Sequence, residues 1–133
     1  MKIKIYTFLI ICSILFTNCS NDDDAPQTSA IIGQSISFVN EDGTVISLFD
    51  CINPSENYYV RVKVAAEGPG DLVTSAVRYT FNGAVFSMTF KTLESQTNPV
   101  TLREGENIAQ LENTGFTARL SYIITSSEFE LVP

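Results

Sequence analysis

Residues 77–88 have the sequence VRYTFNGAVFSM, in which two arms of alternating apolar and polar residues flank Asn82-Gly83. Asn-Gly is the preferred pair for a type I′ turn, because both central residues of that turn need positive φ. A two-residue loop gives three apolar or aromatic pairs: Phe81 with Ala84, Tyr79 with Phe86, and Val77 with Met88. The polar residues fall on the other face: Arg78, Thr80, Ser87 and Thr89. The segment therefore predicts a half-solvated antiparallel hairpin.

Residues 34–49 predict a second hairpin, around Glu41-Asp42-Gly43. A two-residue loop would place Ser47 opposite Phe38, among apolar side chains. A three-residue loop with Gly43 in the left-handed conformation gives two apolar pairs instead: Phe38 with Ile46, and Ile36 with Leu48. We prefer the three-residue loop, because it keeps the apolar residues on one face.

Residues 116–132 predict a third hairpin, with its turn at Ser126-Ser127. Its register pairs Ile124 with Phe129 and Tyr122 with Leu131. Between the hairpins, Tyr58–Ala65 alternates with period two, and Ile108–Leu111 is a shorter strand candidate.

The chain shows no convincing helical period, and turn-forming pairs such as Asn53-Pro54 and Asn98-Pro99 interrupt it at short intervals. These observations predict an all-β fold, an antiparallel β-sandwich of seven to nine short strands. The architecture is immunoglobulin-like, although the Cys-Trp-Cys core of a true immunoglobulin domain is missing.

The N-terminal residues have the organisation of a signal peptide. Lys2 and Lys4 precede a largely apolar run over residues 5–16. About a dozen residues are too few for the roughly 20 that a spanning helix needs. The segment Leu15-Phe16-Thr17-Asn18-Cys19 then resembles the bacterial lipoprotein box, and the resemblance implies that Cys19 is lipidated and becomes the first mature residue.

The acidic run after this cysteine consists of Ser20, Asn21, Asp22, Asp23 and Asp24. It resembles the tether of Bacteroidetes surface lipoproteins, where such a run is associated with export to the outer face of the cell. The alternative is a solvated spacer that repels anionic headgroups. We expect an outer-membrane lipoprotein exposed on the surface, with the periplasmic face as the alternative.

These features divide the chain into three parts: a signal peptide over 1–18, a lipidated cysteine and flexible acidic tether over 19–33, and a β-sandwich domain over 34–133. Residues 36–64 also resemble small uncharacterised Bacteroidetes lipoprotein domains, through the pattern Ile-Ser-Phe-Val-Asn-Glu-Asp-Gly and a later Asn-Pro corner. That resemblance implies a strand–turn–strand opening of the fold and no particular activity.

Composition narrows the chemistry of the mature chain. Without residues 1–18, six basic and fifteen acidic residues give a net charge of −9, which argues against nucleic acid as a partner. The chain has no histidine, so we expect neither a histidine-ligated metal nor histidine acid–base catalysis, and no cofactor. Cys51 lacks an intramolecular disulfide partner, and we expect it to be a small buried residue.

Catalysis by carboxylates is the remaining enzymatic hypothesis. Glu104 and Glu106 flank Gly105, but two glutamates in a polar turn are usually solvated, whereas acid–base chemistry needs one carboxyl desolvated. Asp22–Asp24 and Glu41-Asp42 lack the ligand spacing of a calcium loop, so no metal site is predicted. We therefore expect no catalytic residues and treat a small carboxylate-dependent enzyme as the alternative.

A binding or assembly role is the preferred hypothesis. The partners would be the membrane, through the lipid anchor, and an extracellular protein or glycan. Tyr59 is the aromatic residue that period two places on the outer face of its strand, and Arg61 follows on the same face. These two residues are the candidates for ligand contact, and a structural spacer in an envelope complex is a further alternative.

Overall fold

The computed structural model describes residues 26–48 and 50–123. In this part the chain forms eight strands: β1 (Thr28–Asn40), β2 (Tyr58–Glu67), β3 (Asp71–Leu72), β4 (Ser75–Phe81), β5 (Ala84–Phe90), β6 (Gln96–Val100), β7 (Gly105–Leu111) and β8 (Thr117–Tyr122). Within the same residues, no helix is long and apolar enough to cross a membrane.

The strands form two four-stranded sheets, ordered β3-β1-β2-β6 and β5-β4-β7-β8. Pairing is antiparallel except for a two-residue parallel contact between β1 and β3. Both sheets bury their inner faces in one apolar core, whose fully buried side chains include Phe38, Val60, Val62, Tyr79, Phe90, Leu111 and Leu120. The predicted all-β sandwich of seven to nine strands is confirmed.

The β4–β5 hairpin has the predicted register, with Phe81 opposite Ala84, Tyr79 opposite Phe86 and Val77 opposite Met88. Asn82 has φ of 48° and Gly83 has φ of 85°, as the type I′ turn requires. The Tyr79 and Phe86 rings stack at a centroid distance of 5.4 Å. Local turn chemistry and cross-strand packing therefore favour the same register.

The hairpin predicted over residues 34–49 is correct in its loop and wrong in its second arm. The Ile46 N–H donates to the Phe38 carbonyl at 2.9 Å, and Gly43 has φ of 84°, so the three-residue loop is confirmed. Leu48, however, is 48% exposed and does not pair with Ile36, which pairs with Val62 of β2. The arm lies on the edge of β1 opposite β2, and it ends early because a turn follows Ile46, in which the Ser47 N–H donates to Asp50 Oδ2 at 2.7 Å.

The third predicted hairpin is only partly within the described residues. Its first arm is β8, which pairs with β7 in the second sheet. The predicted turn at Ser126-Ser127 and the pairing of Ile124 with Phe129 lie outside the described residues.

The predicted domain boundary at Gln34 is wrong, because β1 begins at Thr28. Ser29, Ile31 and Gly33 alternate as buried residues within the segment expected to be flexible tether. The Ser29 hydroxyl donates to the Gly70 carbonyl at 2.8 Å. A small hydroxyl residue and a glycine thus occupy interior positions, where a pattern based on large apolar residues gives no signal.

A buried asparagine connects the β4–β5 turn to β7. The Asn107 side chain is fully buried, and its Oδ1 accepts hydrogen bonds from Asn82 Nδ2 and the Arg103 N–H, each at 2.9 Å. Its Nδ2 donates to the Arg103 carbonyl at 2.8 Å. Asn82 Oδ1 in turn accepts from the Ile108 N–H at 2.9 Å. The network holds the turn and the segment before β7 against the same strand.

A hydrogen bond between Asn98 and Tyr79 joins the two sheets in the core. The Tyr79 ring is completely buried, and its hydroxyl accepts a hydrogen bond from Asn98 Nδ2 on β6 at 2.7 Å. Burial raises the pKa of Tyr79 above its ordinary value of 10.0, and the Asn98 hydrogen bond opposes part of that rise.

This environment predicts an alkaline loss of stability. The unfolded chain releases the Tyr79 proton near pH 10, before the folded chain does, so the stabilisation is complete below pH 10 and is lost as the pH rises through the folded pKa. We expect Tyr79→Phe to cost about 1 kcal/mol at pH 7, by loss of one hydrogen bond, and to flatten the decline above pH 10. Urea unfolding from pH 7 to 11.5 measures both effects, and equal alkaline slopes for the two chains would contradict the prediction.

Candidate functional site

A cleft of about 520 Å³ lies at one end of the sandwich, where the start of β2, the end of β6 and the end of β8 meet. We call it the end cleft. Its lining residues are Ile52, Pro54, Glu56, Asn57, Tyr58, Tyr59, Pro99, Val100, Thr101, Leu102 and Tyr122. Ile52, Val100 and Leu102 are partly buried and pack against the core, so the apolar side of the cleft rests on the rigid part of the fold.

The wall before β2 is a turn with internal hydrogen bonds. Asn53 Oδ1 accepts from the Ser55 N–H at 3.0 Å, and Asn53 Nδ2 donates to Glu56 Oε1 at 3.1 Å. The Tyr58 hydroxyl accepts from the Asn53 N–H at 2.8 Å and donates to the Asn53 carbonyl at 3.1 Å. Proline after Asn53 also restricts this turn, so the wall is largely formed before any ligand arrives.

Tyr59 and Pro99 form a cross-strand pair beside this wall. Tyr59 of β2 lies opposite Pro99 of β6, and both residues line the end cleft. Tyr59 is half-buried, so part of the side chain stays accessible. An aromatic ring beside a proline ring gives the cleft a stiff apolar surface with one phenolic hydroxyl.

The wall that includes Thr101 and Leu102 is positioned by hydrogen bonds to a buried residue. Thr101 and Leu102 line the cleft just before Arg103, whose backbone N–H and carbonyl both bond to the buried Asn107. Tyr122, at the end of β8, contributes a half-buried aromatic side chain from the other sheet. The end cleft is therefore built from both sheets and is positioned by buried polar contacts.

The end cleft carries little charge. None of the described residues that line it is a lysine or an arginine, and Glu56 is the carboxylate among them. A ligand here would meet tyrosine rings, an amide, a hydroxyl and one negative charge. Such a lining is able to bind and orient a ligand, whereas the two-carboxylate chemistry of glycoside hydrolysis needs a second acid that these residues do not supply.

The two candidate contact residues have different surroundings. Tyr59 lies in the end cleft, whereas Arg61 does not line it. Arg61 is half-buried, and its Nη1 donates to the Gly43 carbonyl at 3.1 Å. The guanidinium thus holds the loop of the first hairpin against the sheet, and ligand contact by either residue stays a prediction.

Cys51 is exposed, so the expectation of a buried cysteine is wrong. The second arm of the first hairpin ends early, and Cys51 consequently lies in the loop between β1 and β2. It lines a small crevice of about 190 Å³ beside the end cleft, together with Asp50 and Glu56. Asp50 Oδ2 accepts from the Ser47 N–H at 2.7 Å, so this carboxylate has a local structural role.

The other acidic candidates do not converge. Glu106 forms an ion pair with Arg119 at 2.6 Å on the exposed face of the second sheet, and Glu104 is exposed. Within residues 26–48 and 50–123, no group of three acidic or cysteine side chains is arranged to hold a metal ion. The lipidation candidate Cys19 and the acidic run Ser20–Asp24 lie outside the described residues.

Strand β5 presents an open sheet edge. It pairs with β4 over its seven residues, which leaves Val85, Ser87 and Thr89 with backbone groups turned away from β4. The Thr89 carbonyl accepts from Gln96 Nε2 at 2.9 Å, consistent with this direction. The strand contains no proline and no charged residue, and Val85 is 53% exposed. Apart from the Gln96 side chain at Thr89, it therefore lacks the usual features that block strand addition.

The chain was compared with protein-family models, curated proteins and solved structures, and nothing matched it. The end cleft and the β5 edge are therefore the features that indicate a function.

Sequence reasoning found Tyr59 but missed its neighbours in the end cleft. Asn57, Thr101 and Tyr122 belong to three segments, and their meeting depends on strand order, which a single sequence does not specify. The available signal was the two Asn-Pro pairs beside the cleft, although only Asn53-Pro54 forms the turn expected of it, whereas Asn98-Pro99 lies within β6.

Proposed function

We propose that this protein is a lipid-anchored envelope or cell-surface protein that acts as a non-enzymatic binding module. The end cleft holds its ligand, an extracellular glycan or protein, and Cys19 carries the lipid. The observation that carries this proposal is the position of the cleft relative to the point where the tether joins the domain.

Strand β1 spans the domain between these two points. It starts at Thr28, next to the tether, and ends at Asn40, which pairs with Tyr58 of the cleft. Thirteen residues of strand cover about 40 Å at roughly 3.3 Å per residue. A domain anchored through its N-terminal side would thus present the cleft at the end remote from the membrane.

The net charge of the mature chain supports contact with the bilayer through the lipid alone. The mature chain carries a net charge of −9, and an anionic domain is repelled by anionic headgroups. An uncharged or cationic partner is therefore favoured over an anionic membrane surface, and the lipid is the contact with the bilayer.

The anchor is tested by replacing Cys19 with serine, which removes the thiol that the acyl chains require. We expect Cys19→Ser to abolish labelling by a fatty-acid analogue and to move the protein from the membrane to the soluble fraction, because several acyl chains are needed for stable anchoring. Retention of label and of membrane association would contradict the lipoprotein assignment.

The surface location is tested in the same cells by protease treatment of intact bacteria. We expect a triple alanine variant of Asp22–Asp24 to stay membrane-bound but to become protected from protease. A charge-matched control replaces three exposed acidic residues of the domain, Glu41, Glu94 and Glu104, and should remain accessible. Equal cleavage of both variants would contradict an export role for the acidic run.

The β5 edge favours assembly as a second candidate function, with a second copy of the chain as the partner. Antiparallel pairing centred on Ser87 places Val85 opposite Thr89 of the other copy, without any charged side chain on the strand. Val85→Lys should abolish a dimer of the mature chain in sedimentation equilibrium, because an edge lysine opposes strand addition. Val45→Lys is the control, since Val45 is similarly exposed at 51%, and a monomeric wild-type chain would exclude this candidate.

A further inference from the structure

The aromatic residues of the end cleft indicate the chemistry of its ligand. Tyr58, Tyr59 and Tyr122 line it together, and the Tyr58 hydroxyl already bonds to Asn53. The hydroxyls of Tyr59 and Tyr122 make no hydrogen bond to another described residue. Tyrosine combines an apolar ring with a polar tip, so these two side chains suit a ligand that has both C–H faces and hydroxyl groups.

The charge of the lining restricts the ligand further. The described lining residues include Glu56 and no cationic side chain, so an acidic ligand would meet repulsion without compensation. Asn57 and Thr101 are exposed there and offer donors and acceptors that are not used by other described residues. Matched donors and acceptors without a cation favour an uncharged ligand rich in hydroxyl groups.

Strand β6 argues against an extended peptide at the same place. β6 is the edge strand of its sheet, and its end adjoins the cleft. Pro99 removes a backbone N–H from that edge, and proline in an edge strand is a common means of preventing strand addition. A peptide would lose the main-chain hydrogen bonds that give this binding mode its affinity.

We propose that the end cleft binds an uncharged saccharide, with Tyr59 and Tyr122 as aromatic contacts and Asn57 and Thr101 as hydrogen-bonding residues. The cleft volume of about 520 Å³ lies in the range of small-molecule sites, which is about 300–1,000 Å³. This inference rests on the proposed function and names the ligand class of the same site.

The test uses the purified mature chain in detergent and a panel of oligosaccharides. The neutral probes are maltohexaose, mannohexaose, xylohexaose and chitohexaose, and the acidic probes are trigalacturonic acid and oligosialic acid. We expect at least one neutral probe to bind, and every acidic probe to bind at least tenfold more weakly than the best neutral one. Tyr59→Ala and Tyr122→Ala should each lower the affinity for the best neutral probe at least tenfold, as measured by calorimetry.

Phe116→Ala is the matched control, because Phe116 is an aromatic residue that is 54% exposed and does not line the cleft. The affinity of the Phe116→Ala chain for the neutral probe should equal that of the wild type. Tyr59→Phe keeps the ring and guards against misfolding of the alanine variant, and it should retain more affinity than Tyr59→Ala. Both comparisons require unchanged far-ultraviolet circular dichroism and thermal midpoints.

Three outcomes would overturn the inference: a preference for acidic probes, equal affinities of Tyr59→Ala and Phe116→Ala, or no binding of any neutral probe. A protein ligand captured from the cell surface and lost in Tyr59→Ala would overturn the saccharide assignment while leaving the binding function intact. Loss of membrane anchoring in the wild-type chain would instead contradict the proposed function, so the two failures are distinguishable.

Discussion

Replacing Asn107 with alanine is expected to lower the free energy of unfolding by about 3 kcal/mol, one of the two largest effects anticipated for this chain. The Asn107 side chain is completely buried, and it serves Asn82 Nδ2 and both backbone groups of Arg103. Alanine would leave these partly buried groups without the Asn107 partner, and an unsatisfied group costs about 1–3 kcal/mol where it is buried.

The control is Asn113→Ala, because Asn113 is exposed in the turn between β7 and β8. It should change stability by less than about 0.5 kcal/mol in urea unfolding. Hydrogen exchange should accelerate over residues 101–105 in Asn107→Ala, since the network fixes the segment that forms one wall of the end cleft. A cost below 1 kcal/mol, or exchange equal to that of Asn113→Ala, would contradict the structural role.

The second large effect is expected at Gly70. A β-carbon at this position would lie 1.8 Å from the Gln27 carbonyl oxygen and 2.6 Å from the Thr28 nitrogen. Both contacts are with backbone, which cannot move aside without breaking the hydrogen bond from the Asp71 N–H to the Gln27 carbonyl. We expect Gly70→Ala to cost about 2–3 kcal/mol and to release the first residues of β1 from β3.

Gly115→Ala separates steric exclusion from backbone preference. Gly115 has φ of 70°, and nothing lies within 4 Å of a β-carbon placed there. Alanine at this site should cost only about 1 kcal/mol, from the left-handed conformation alone. Urea unfolding gives the comparison, and hydrogen exchange at Thr28–Ile31 locates the damage. Equal costs for the two variants would show that the close approach at Gly70 is not a constraint.

The sequence predicts the β4–β5 hairpin well, because its determinants are local. Asn82-Gly83 specifies the turn, and the period of two on both sides specifies the register. The inward residues of β2 are equally clear, since Tyr58, Val60, Val62 and Val64 are all buried. Where turn chemistry and apolar alternation agree within a dozen residues, the fold is predictable from a single chain.

Prediction fails where the structure depends on side-chain hydrogen bonds in a turn or on small residues. The arm after Ile46 was expected to continue until Leu48 paired with Ile36, but the chain turns at Ser47, whose N–H donates to Asp50 Oδ2. Ser29 and Gly33 are interior residues without a large apolar side chain. Asn107 is buried as part of a polar network, and its partners lie on another turn and an adjacent loop.

Only one residue of the candidate site was predictable from the sequence. Tyr59 follows from the outer-face position in β2, whereas Tyr122 joins it through the packing of two sheets. Arg61 follows from the same pattern and lies outside the cleft, because its guanidinium contacts Gly43. The face of a strand is a local property, whereas a cleft at the end of a sandwich depends on which distant segments meet there.

The length of β1 has a mechanical consequence. If the chain is anchored through its N-terminal side, as proposed, a pull on the anchor would enter the domain at Thr28 and act along this strand, while a ligand bound in the end cleft would resist near Asn40. The hydrogen bonds between β1 and β2 run perpendicular to the strands, from the pair Ala30–Glu67 to the pair Asn40–Tyr58. They would therefore share the load in shear and would not open one at a time, and such a geometry would resist the pulling force that acts on a protein anchored as proposed.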